Sequence, residues 1–130
     1  MFSAMETAYI KSQRLARIGT VSPTGQPDVS VVGFEFDGAS LYIGGYNVQQ
    51  TRKFKNVVGN GTVAVLIDDL LSVDPWKPRG IRVYGTASVA DRGGSQVIQV
   101  NPTVHWSWGI EDEVFRDGEM VVRKTVHQRR

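Results

Sequence analysis

Three cations in one short segment are the residues of this sequence best suited to bind a ligand. Arg52, Lys53 and Lys55 lie in the stretch from Gln49 to Val58, whose composition predicts a helix. Cations stabilise the C-terminal end of a helix, whereas the N-terminal end carries the positive pole of the helix dipole and free backbone N–H groups. Positive side chains near that end therefore indicate a bound anion, and a phosphate is the obvious candidate.

The segments on either side give this helix a defined place. Leu41 to Ile43 favours a strand, and Gly44-Gly45 breaks the strand and lets a ligand approach the backbone. Gly59-Asn60-Gly61 ends the helix, and the β-branched, apolar run from Thr62 to Ile67 predicts a strand buried on both faces. An alternative stays open, because three basic residues on a short helix commonly form nothing more than a solvated surface.

Other catalytic and phosphate-binding patterns are missing from the sequence. It contains neither GxxxxGK[ST] nor GxGxxG, so it has no P-loop and no Rossmann fingerprint. There is no cysteine, no GxSxG elbow, and no carboxylate at metal-ligand spacing from His105 or His127. Asp68, Asp69 and Asp74 do not fit an EF-hand, so no metal site is predicted. An enzyme with these residues would need a redox cofactor that brings its own chemistry.

The composition limits the class of protein. The 130 residues suit a single domain, and 41% hydrophobic with 22% charged residues is ordinary for a soluble globular protein. The net charge is +2, and basic residues cluster only at Arg52 to Lys55 and at Arg129-Arg130, which is too weak a field for nucleic acid. No apolar run approaches a membrane span and no signal-peptide pattern begins the chain, so a cytoplasmic location is expected.

The N-terminal residues predict a capped helix. Ser3 and Glu6 fit a capping box, in which each side chain bonds to the other residue's backbone N–H. Apolar and small residues follow at helical spacing, so residues 4–13 are expected to form a short amphipathic helix. The residues expected on one face of this helix are Met5, Ala8, Tyr9 and Ser12.

The remainder of the chain reads as strands. Together with residues 41–43 and 62–67, the expected strands are Leu15–Ser22, Pro27–Phe36, Arg79–Ala90, Gln96–Ile110 and Met120–Val126. The first three in chain order would form a meander, and Asp68 to Lys77 would be a loop closed by prolines. We expect a bulge at Gly85 and an interruption at Pro102. Six or seven strands with two short helices indicate a small antiparallel barrel.

Four stretches of the sequence are specific enough to indicate a protein family: LARIGTVSPTGQPDVSVVGFEFDG, LYIGG, TRKFKNV and SVDPWKPRGIRVYGTA. Together they resemble the pyridoxamine 5′-phosphate oxidase-like split-barrel family, in particular its actinobacterial branch that uses the deazaflavin coenzyme F420. The resemblance covers residues 5–110. The PxGxP turn between strands is moderately specific, whereas the Arg-Lys pair and PWxPRGIRVYG are much more so.

The resemblance implies a mainly β, six- to seven-stranded antiparallel split barrel of the FMN-binding type, built as a homodimer with two cofactor sites at its interface. Arg52 and Lys53 would hold the cofactor phosphate, with Thr51 as a secondary donor and Lys55 pointing away. Arg79-Gly80 would reach across from the other subunit. The remaining implied cofactor-binding residues are Ser30, Val31, Val32, Gly33, Gly44, Gly45 and Trp76.

The tryptophans carry two interpretations. Trp76, Trp106 and Trp108 would stack on the cofactor ring or lie at the dimer interface, and plain core packing is the alternative. The loop from Asp68 to Pro78 is expected to be ordered by the dimer, which would bury Trp76.

The leading functional hypothesis is an F420-dependent oxidoreductase that transfers hydride from the reduced deazaflavin to a small conjugated acceptor. The alternatives are an FMN-binding oxidoreductase and a protein that binds either cofactor without turnover. Because F420 has a long anionic tail, an open basic groove beyond Arg52 and Lys53 would favour it, and a closed pocket would favour FMN. The chain lacks the longer C-terminal region that pyridoxamine phosphate oxidases use for substrate, so that substrate is not expected. The catalytic residues and the acceptor are not determined by the sequence.

Overall fold

The computed structural model describes residues 1–128. They form two short helices, a curled antiparallel sheet and a separate two-stranded sheet. The predicted basic pair Arg129-Arg130 lies outside these residues. The elements are α1 (Ala4–Ser12), β1 (Leu15–Val21), β2 (Pro27–Gly33), β3 (Glu35–Phe36), β4 (Leu41–Ile43), α2 (Arg52–Gly59), β5 (Thr62–Ser72), β6 (Lys77–Arg92), β7 (Ser95–Trp108), β8 (Phe115–Arg116), β9 (Glu119–Met120) and β10 (Arg123–Val126).

The strand order explains how the sheet curls. Neighbours follow the order β2-β1-β5-β6-β7-β4-β3, all antiparallel, and β10 pairs with β7. The two ends of this order, β2 and β3, are separated in the chain only by Phe34. The chain therefore crosses from one end of the sheet to the other within a residue, which bends the sheet into a split barrel. The predicted mainly β split barrel with two short helices is confirmed.

The predicted three-strand meander is interrupted in its second strand. Residues 27–36 do not form one strand, because Phe34 interrupts them and only residues 27–33 pair with β1. Leu41–Ile43 pairs with β3 across the Asp37-Gly38 turn, as predicted, and its other edge pairs with β7. Local turn signals identified the neighbouring strands correctly, but the pairing depends on distant β7.

The predicted loop from Asp68 to Lys77 is mostly strand. Asp68, Asp69 and Leu70 pair in register with Gly80, Arg79 and Pro78, so β5 and β6 form a long hairpin. Cross-strand pairing with β6 overrides the low strand propensity of aspartate. The predicted break at Pro102 is also absent from β7. The proline lies opposite Gly85, where the register of the β6–β7 ladder shifts as predicted, but the extra residue is Thr103 in β7 rather than Gly85 in β6.

Burial follows the curvature of the barrel wall. Along β5, Val63, Val65 and Ile67 are buried, whereas Ala64 and Leu66 are only half-buried, so the expected burial on both faces is wrong. One face of a barrel wall lines the core and the other faces outward. The core joins α1 to most strands of the sheet, and its fully buried aliphatic side chains include Ile10, Ile18, Leu41, Ile43, Ile67, Ile81, Val83 and Ile98.

Both helices begin as their sequences indicate. In α1 the capping box is present, with Ser3 N–H donating to Glu6 Oε1 at 2.9 Å and Glu6 N–H donating to Ser3 Oγ at 3.1 Å. The buried face carries Glu6, Tyr9 and Ile10, whereas the predicted Met5 and Ala8 are exposed. A separate 3₁₀ turn covers residues 48–50, so α2 begins later than predicted. No helix in residues 1–128 has the length and apolar character needed to cross a membrane.

Candidate functional site

The first cleft, of about 470 Å³, lies where β2 changes into β3. Gly33, Gly44 and Gly45 contribute to its lining, and all three are residues that the resemblance assigns to cofactor binding. A Cβ added at Gly33 or Gly45 would meet no atom within 4 Å, so the absent side chains leave open space there. This bare backbone allows a flat ligand to approach closely. The rest of the lining consists of Phe34, Glu35, Tyr42, Arg92 and Val97.

The second cleft, of about 380 Å³, lies against the first turns of α2. Arg52 and Lys55 line it together with Pro23, Gln50 and Asn56. The two cations are three residues apart, which places them on the same side of a helix. No carboxylate contributes to the lining, so the cleft is polar and basic. Lys55, expected to point away from the ligand, therefore shares a cleft with Arg52.

The beginning of α2 supplies backbone donors. Thr51 is the N-cap, and its hydroxyl donates to the Val48 carbonyl while accepting a hydrogen bond from Phe54 N–H at 3.4 Å. Lys55 N–H donates to the Thr51 carbonyl, so the N–H groups of Arg52 and Lys53 precede the first intrahelical bond. The hydroxyl proton of Thr51 is engaged within the chain, so a bound anion would meet the backbone rather than this side chain.

Arg52 and Lys53 differ in their exposure and in their position relative to the second cleft. Arg52 is exposed and lines the second cleft, whereas Lys53 is half-buried and does not line it. Adjacent helical residues point in directions about 100° apart, so the pair cannot act as one fork. Arg52 lines the second cleft, and Lys53 lies on another side of the helix.

β2 presents a free strand edge. It pairs only with β1 among the described strands, so alternate backbone groups from Ser30 to Gly33 face outward without a strand partner. Val32 is buried in the core, whereas the side chain of Val31 is 61% exposed. The edge thus offers backbone hydrogen bonds to a ligand, as the resemblance implies for these residues.

Arg79, Gly80 and Trp76 line neither cleft of the single chain. Arg79 donates from Nε and Nη2 to the two carboxylate oxygens of Asp69, at 2.7 and 2.9 Å, and lies 5.0 Å from the centre of the Tyr9 ring. These hydrogen bonds from Arg79 lower the pKa of Asp69. Trp76 is 57% exposed at the tip of the β5–β6 hairpin.

Gly80 has a packing role. A Cβ there would lie 2.7 Å from Trp108 Cζ2 and 2.9 Å from the Ile67 carbonyl, so only glycine fits. Trp108 is thus packed against the sheet, and Trp106 lies under the Arg82 guanidinium at 4.4 Å. The contribution of Arg79, Gly80 and Trp76 to a neighbouring subunit's site stays a prediction.

A buried polar cluster was missed by the sequence reasoning. His105 Nε2 lies 3.0 Å from both carboxylate oxygens of Glu6, and its Nδ1 lies 2.7 Å from His127 Nε2. Ser107 donates to Glu6 at 2.6 Å, and Phe2 stacks on the His105 ring. Glu6 and His105 are 99 residues apart in the chain, so no local spacing could reveal the cluster. It joins α1, β7 and the segment after β10.

Hydrogen bonds determine the charge state of Glu6 in that cluster, and burial determines that of His127. Burial would raise the pKa of Glu6, but hydrogen bonds from His105, Ser107 and the Ser3 N–H outweigh it and hold the pKa at about 2. Burial, the amino-terminal charge and His105 lower the pKa of His127 to about 4. Glu6 is therefore ionised and His127 neutral near pH 7. Within residues 1–128 no group of three or more acidic, histidine or cysteine side chains is arranged to hold a metal ion.

Comparison with known proteins identifies related chains. The family model described as pyridoxamine 5′-phosphate oxidase matches residues 4–109. A 5a,11a-dehydrotetracycline/5a,11a-dehydrooxytetracycline reductase from Streptomyces rimosus subsp. rimosus is 32% identical over 123 residues, covering 87% of each chain.

Solved structures share the fold. A conserved hypothetical protein from Mycobacterium tuberculosis superposes with a TM-score of 0.69 at 18% identity, covering 84% of this chain and 86% of that one. A protein described as an F420 reductase gives a TM-score of 0.62 at 19% identity, covering 81% of this chain and 98% of that one. At these identities the structural similarity supports the architecture.

Proposed function

Because this chain belongs to the pyridoxamine 5′-phosphate oxidase family, we propose that it is an oxidoreductase that uses the deazaflavin coenzyme F420 to reduce a small conjugated acceptor. When bound, the coenzyme would supply the hydride. The protein would bind and orient it, and would exclude water from the reacting ring.

The residues of the two clefts fit such a cofactor. The glycines of the first cleft leave backbone exposed where a flat ring can lie, since an added Cβ at Gly33 or Gly45 would enter open space. The beginning of α2 offers two backbone N–H groups without intrahelical acceptors, beside the Arg52 and Lys53 side chains. A phosphate group would be held there by charge-assisted hydrogen bonds.

The observation that carries the choice of F420 over FMN is the second cleft. It continues the cationic surface from Arg52 to Lys55, it is open, and no carboxylate lines it. A cofactor ending at its phosphate has no use for this cleft, whereas the anionic tail of F420 would occupy it. The reductase named among the relatives and the F420 reductase among the structural neighbours support the same proposal.

The test is titration of F420 with the purified protein, followed by quenching of the coenzyme's fluorescence. Wild type should bind, and Arg52→Ala and Lys53→Ala should each weaken binding about tenfold to a hundredfold, since a charge-assisted hydrogen bond is worth about 1.5–3 kcal/mol. Lys55→Ala should also weaken F420 binding, because Lys55 lines the cleft that the anionic tail would occupy. Lys11→Ala is the control, because Lys11 is an exposed cation in the last turn of α1.

Three outcomes would overturn the proposal. Equal losses for Lys11→Ala and Lys53→Ala would indicate a diffuse charge effect. A yellow protein that binds FMN and does not bind F420 would show that the cofactor is the flavin. The third outcome is a protein that binds reduced F420 but does not oxidise it. The acceptors to be tried are 5a,11a-dehydrotetracycline first and then other conjugated ketones. Failure with all of them would indicate a carrier rather than an enzyme.

We also propose that the protein acts as a homodimer. The free edge of β2 carries exposed Val29 and Val31, and open strand edges require covering. Arg79, Gly80 and Trp76 lie outside both clefts of their own chain, so the roles that the resemblance implies for them require a second subunit.

A further inference from the structure

The guanidinium group of Arg92 contributes to the lining of the first cleft. Arg92, the last residue of β6, lies with its guanidinium carbon 3.9 Å from the centre of the Tyr42 ring. Its Nε donates a hydrogen bond to Glu35 Oε2 at 3.2 Å. Stacking on one face and an ion pair at one edge restrict the rotamers of the arginine. The charge therefore has a defined position in the cleft before any ligand arrives.

The platform under Arg92 is itself held rigidly. The Tyr42 hydroxyl donates to Asp37 Oδ2 at 2.8 Å, and Asp37 Oδ1 accepts backbone N–H groups of Ala39 and Ser40 at 2.9 and 2.7 Å. These contacts lie within the β3–β4 hairpin, so the ring is part of the barrel wall. The hydrogen bond to Asp37 also raises the pKa of Tyr42, which keeps the phenol neutral.

The guanidinium is only partly used by its own chain. Glu35 reaches Nε alone, and within residues 1–128 the two Nη groups make no hydrogen bond to another side chain. Arg79, by contrast, gives Asp69 two parallel hydrogen bonds. The Glu35 side chain is 74% exposed, so it is free to leave. Exposed ion pairs of this kind contribute little stability, so displacing Glu35 costs little.

We propose that Arg92 makes this cleft a binding site for a planar, conjugated molecule carrying an ionised oxygen, either a carboxylate or an enolate. The two Nη groups bind the anionic oxygen, and Glu35 pairs with the guanidinium when the site is empty. The Arg92 side of the cleft would receive the anionic oxygen, next to the glycine-lined side that the cofactor ring would cover. That this molecule is the acceptor rests on the proposed function, whereas its binding does not.

The probe for the test is 2-naphthoate, a planar aromatic carboxylate, with neutral 2-naphthamide as its isostere. Binding to the cofactor-free protein is followed by amide chemical shifts, which also locate the site. We expect 2-naphthoate to bind at least tenfold more tightly than the amide and to shift the signals of Glu35, Tyr42 and Arg92. Arg92→Gln should weaken 2-naphthoate about tenfold or more and leave the amide unchanged.

Glu35→Gln gives an effect of opposite sign. Removing the competing carboxylate should strengthen 2-naphthoate binding severalfold, which a merely structural ion pair would not do. Arg116→Gln is the matched control, because Arg116 pairs through Nε with Glu113 in the β8–β9 hairpin, outside the cleft lining. It should leave both affinities unchanged.

Equal affinity for the two probes, an equal loss in Arg116→Gln, or shifts confined to residues outside the cleft would overturn the proposal. So would weaker binding in Glu35→Gln. F420 titration of the wild-type protein separates the two hypotheses. If wild type binds 2-naphthoate as described but not F420, the proposed function fails and the anion site stands.

Discussion

At the scale of residues, Glu6 shows how this protein keeps a buried charge. Its side chain is 1% exposed, yet both carboxylate oxygens accept hydrogen bonds, from Ser3 N–H, Ser107 and His105. Such networks stabilise the native state only while every member is paired. The cluster therefore makes stability depend on pH.

We predict that stability falls in two stages as the pH is lowered. The pKa of His127 is about 4 in the folded protein, below its ordinary 6.5, so between these values the unfolded chain binds more protons and stability falls with pH. The pKa of Glu6 is about 2 against an ordinary 4.5, so its stabilisation is present above pH 4.5 and is lost toward pH 2. That second loss amounts to about 3 kcal/mol.

Denaturant unfolding between pH 8 and 3 measures both stages. His127→Gln should flatten the dependence between pH 6.5 and 4, and Glu6→Gln should flatten it below pH 4.5. Identical slopes for wild type and His127→Gln in the upper range would show that the histidine does not titrate as its surroundings imply.

At the scale of elements, α1 is tied to the β5–β6 hairpin by polar contacts as well as by core packing. The Tyr9 hydroxyl donates to Asp69 Oδ1 at 2.8 Å, and its ring lies beside the Arg79 guanidinium. Burial raises the pKa of this phenol, so it remains a donor at all ordinary pH values. Tyr9 thus contacts Arg79. The resemblance assigns Arg79 and Gly80 to the cofactor site of the other subunit.

We predict that Tyr9→Phe lowers the free energy of unfolding by about 1–2 kcal/mol, because the ionised Asp69 loses one hydrogen-bond donor while the ring packing is kept. Thermal and denaturant unfolding measure the loss. Tyr46→Phe is the matched control, since Tyr46 is 95% exposed. A loss as large in Tyr46→Phe, or none in Tyr9→Phe, would mean that the hydroxyl does not anchor the helix.

At the scale of the whole molecule, the single chain leaves an apolar tip exposed. Leu70, Leu71, Val73 and Trp76, at the end of the β5–β6 hairpin, are 41%, 58%, 71% and 57% exposed. A group of large apolar side chains in solvent is typical of an interface. A second copy of the chain would cover this tip and the free β2 edge.

We predict a homodimer in sedimentation, with Trp76 largely buried in it. A variant carrying Trp106→Phe and Trp108→Phe reports Trp76 alone, and its emission should be blue-shifted in the dimer. Adding Leu71→Glu should dissociate the dimer and shift the emission to the red, whereas Val58→Glu, at an exposed site on α2, should do neither. A monomer that still binds the cofactor, or water-like emission from the dimer, would contradict the prediction.

The sequence by itself determined the elements whose causes are local. Ser3 and Glu6 define the start of α1 because a capping box needs only adjacent turns. Thr51 and the residues after it place cations at the beginning of α2, and Gly85 marks the position where the β6–β7 register shifts. The fold class followed from strand spacing and from the resemblance.

Only the tertiary structure decided which residues meet. The strand from Asp68 to Ser72, the pairing of β4 with β7, and the contact of Glu6 with His105 depend on partners far along the chain. Arg92 reaches the cleft of Gly33 and Gly44 for the same reason. The register between strands sets these meetings, because a shift of one residue moves every side chain to the opposite face of the sheet.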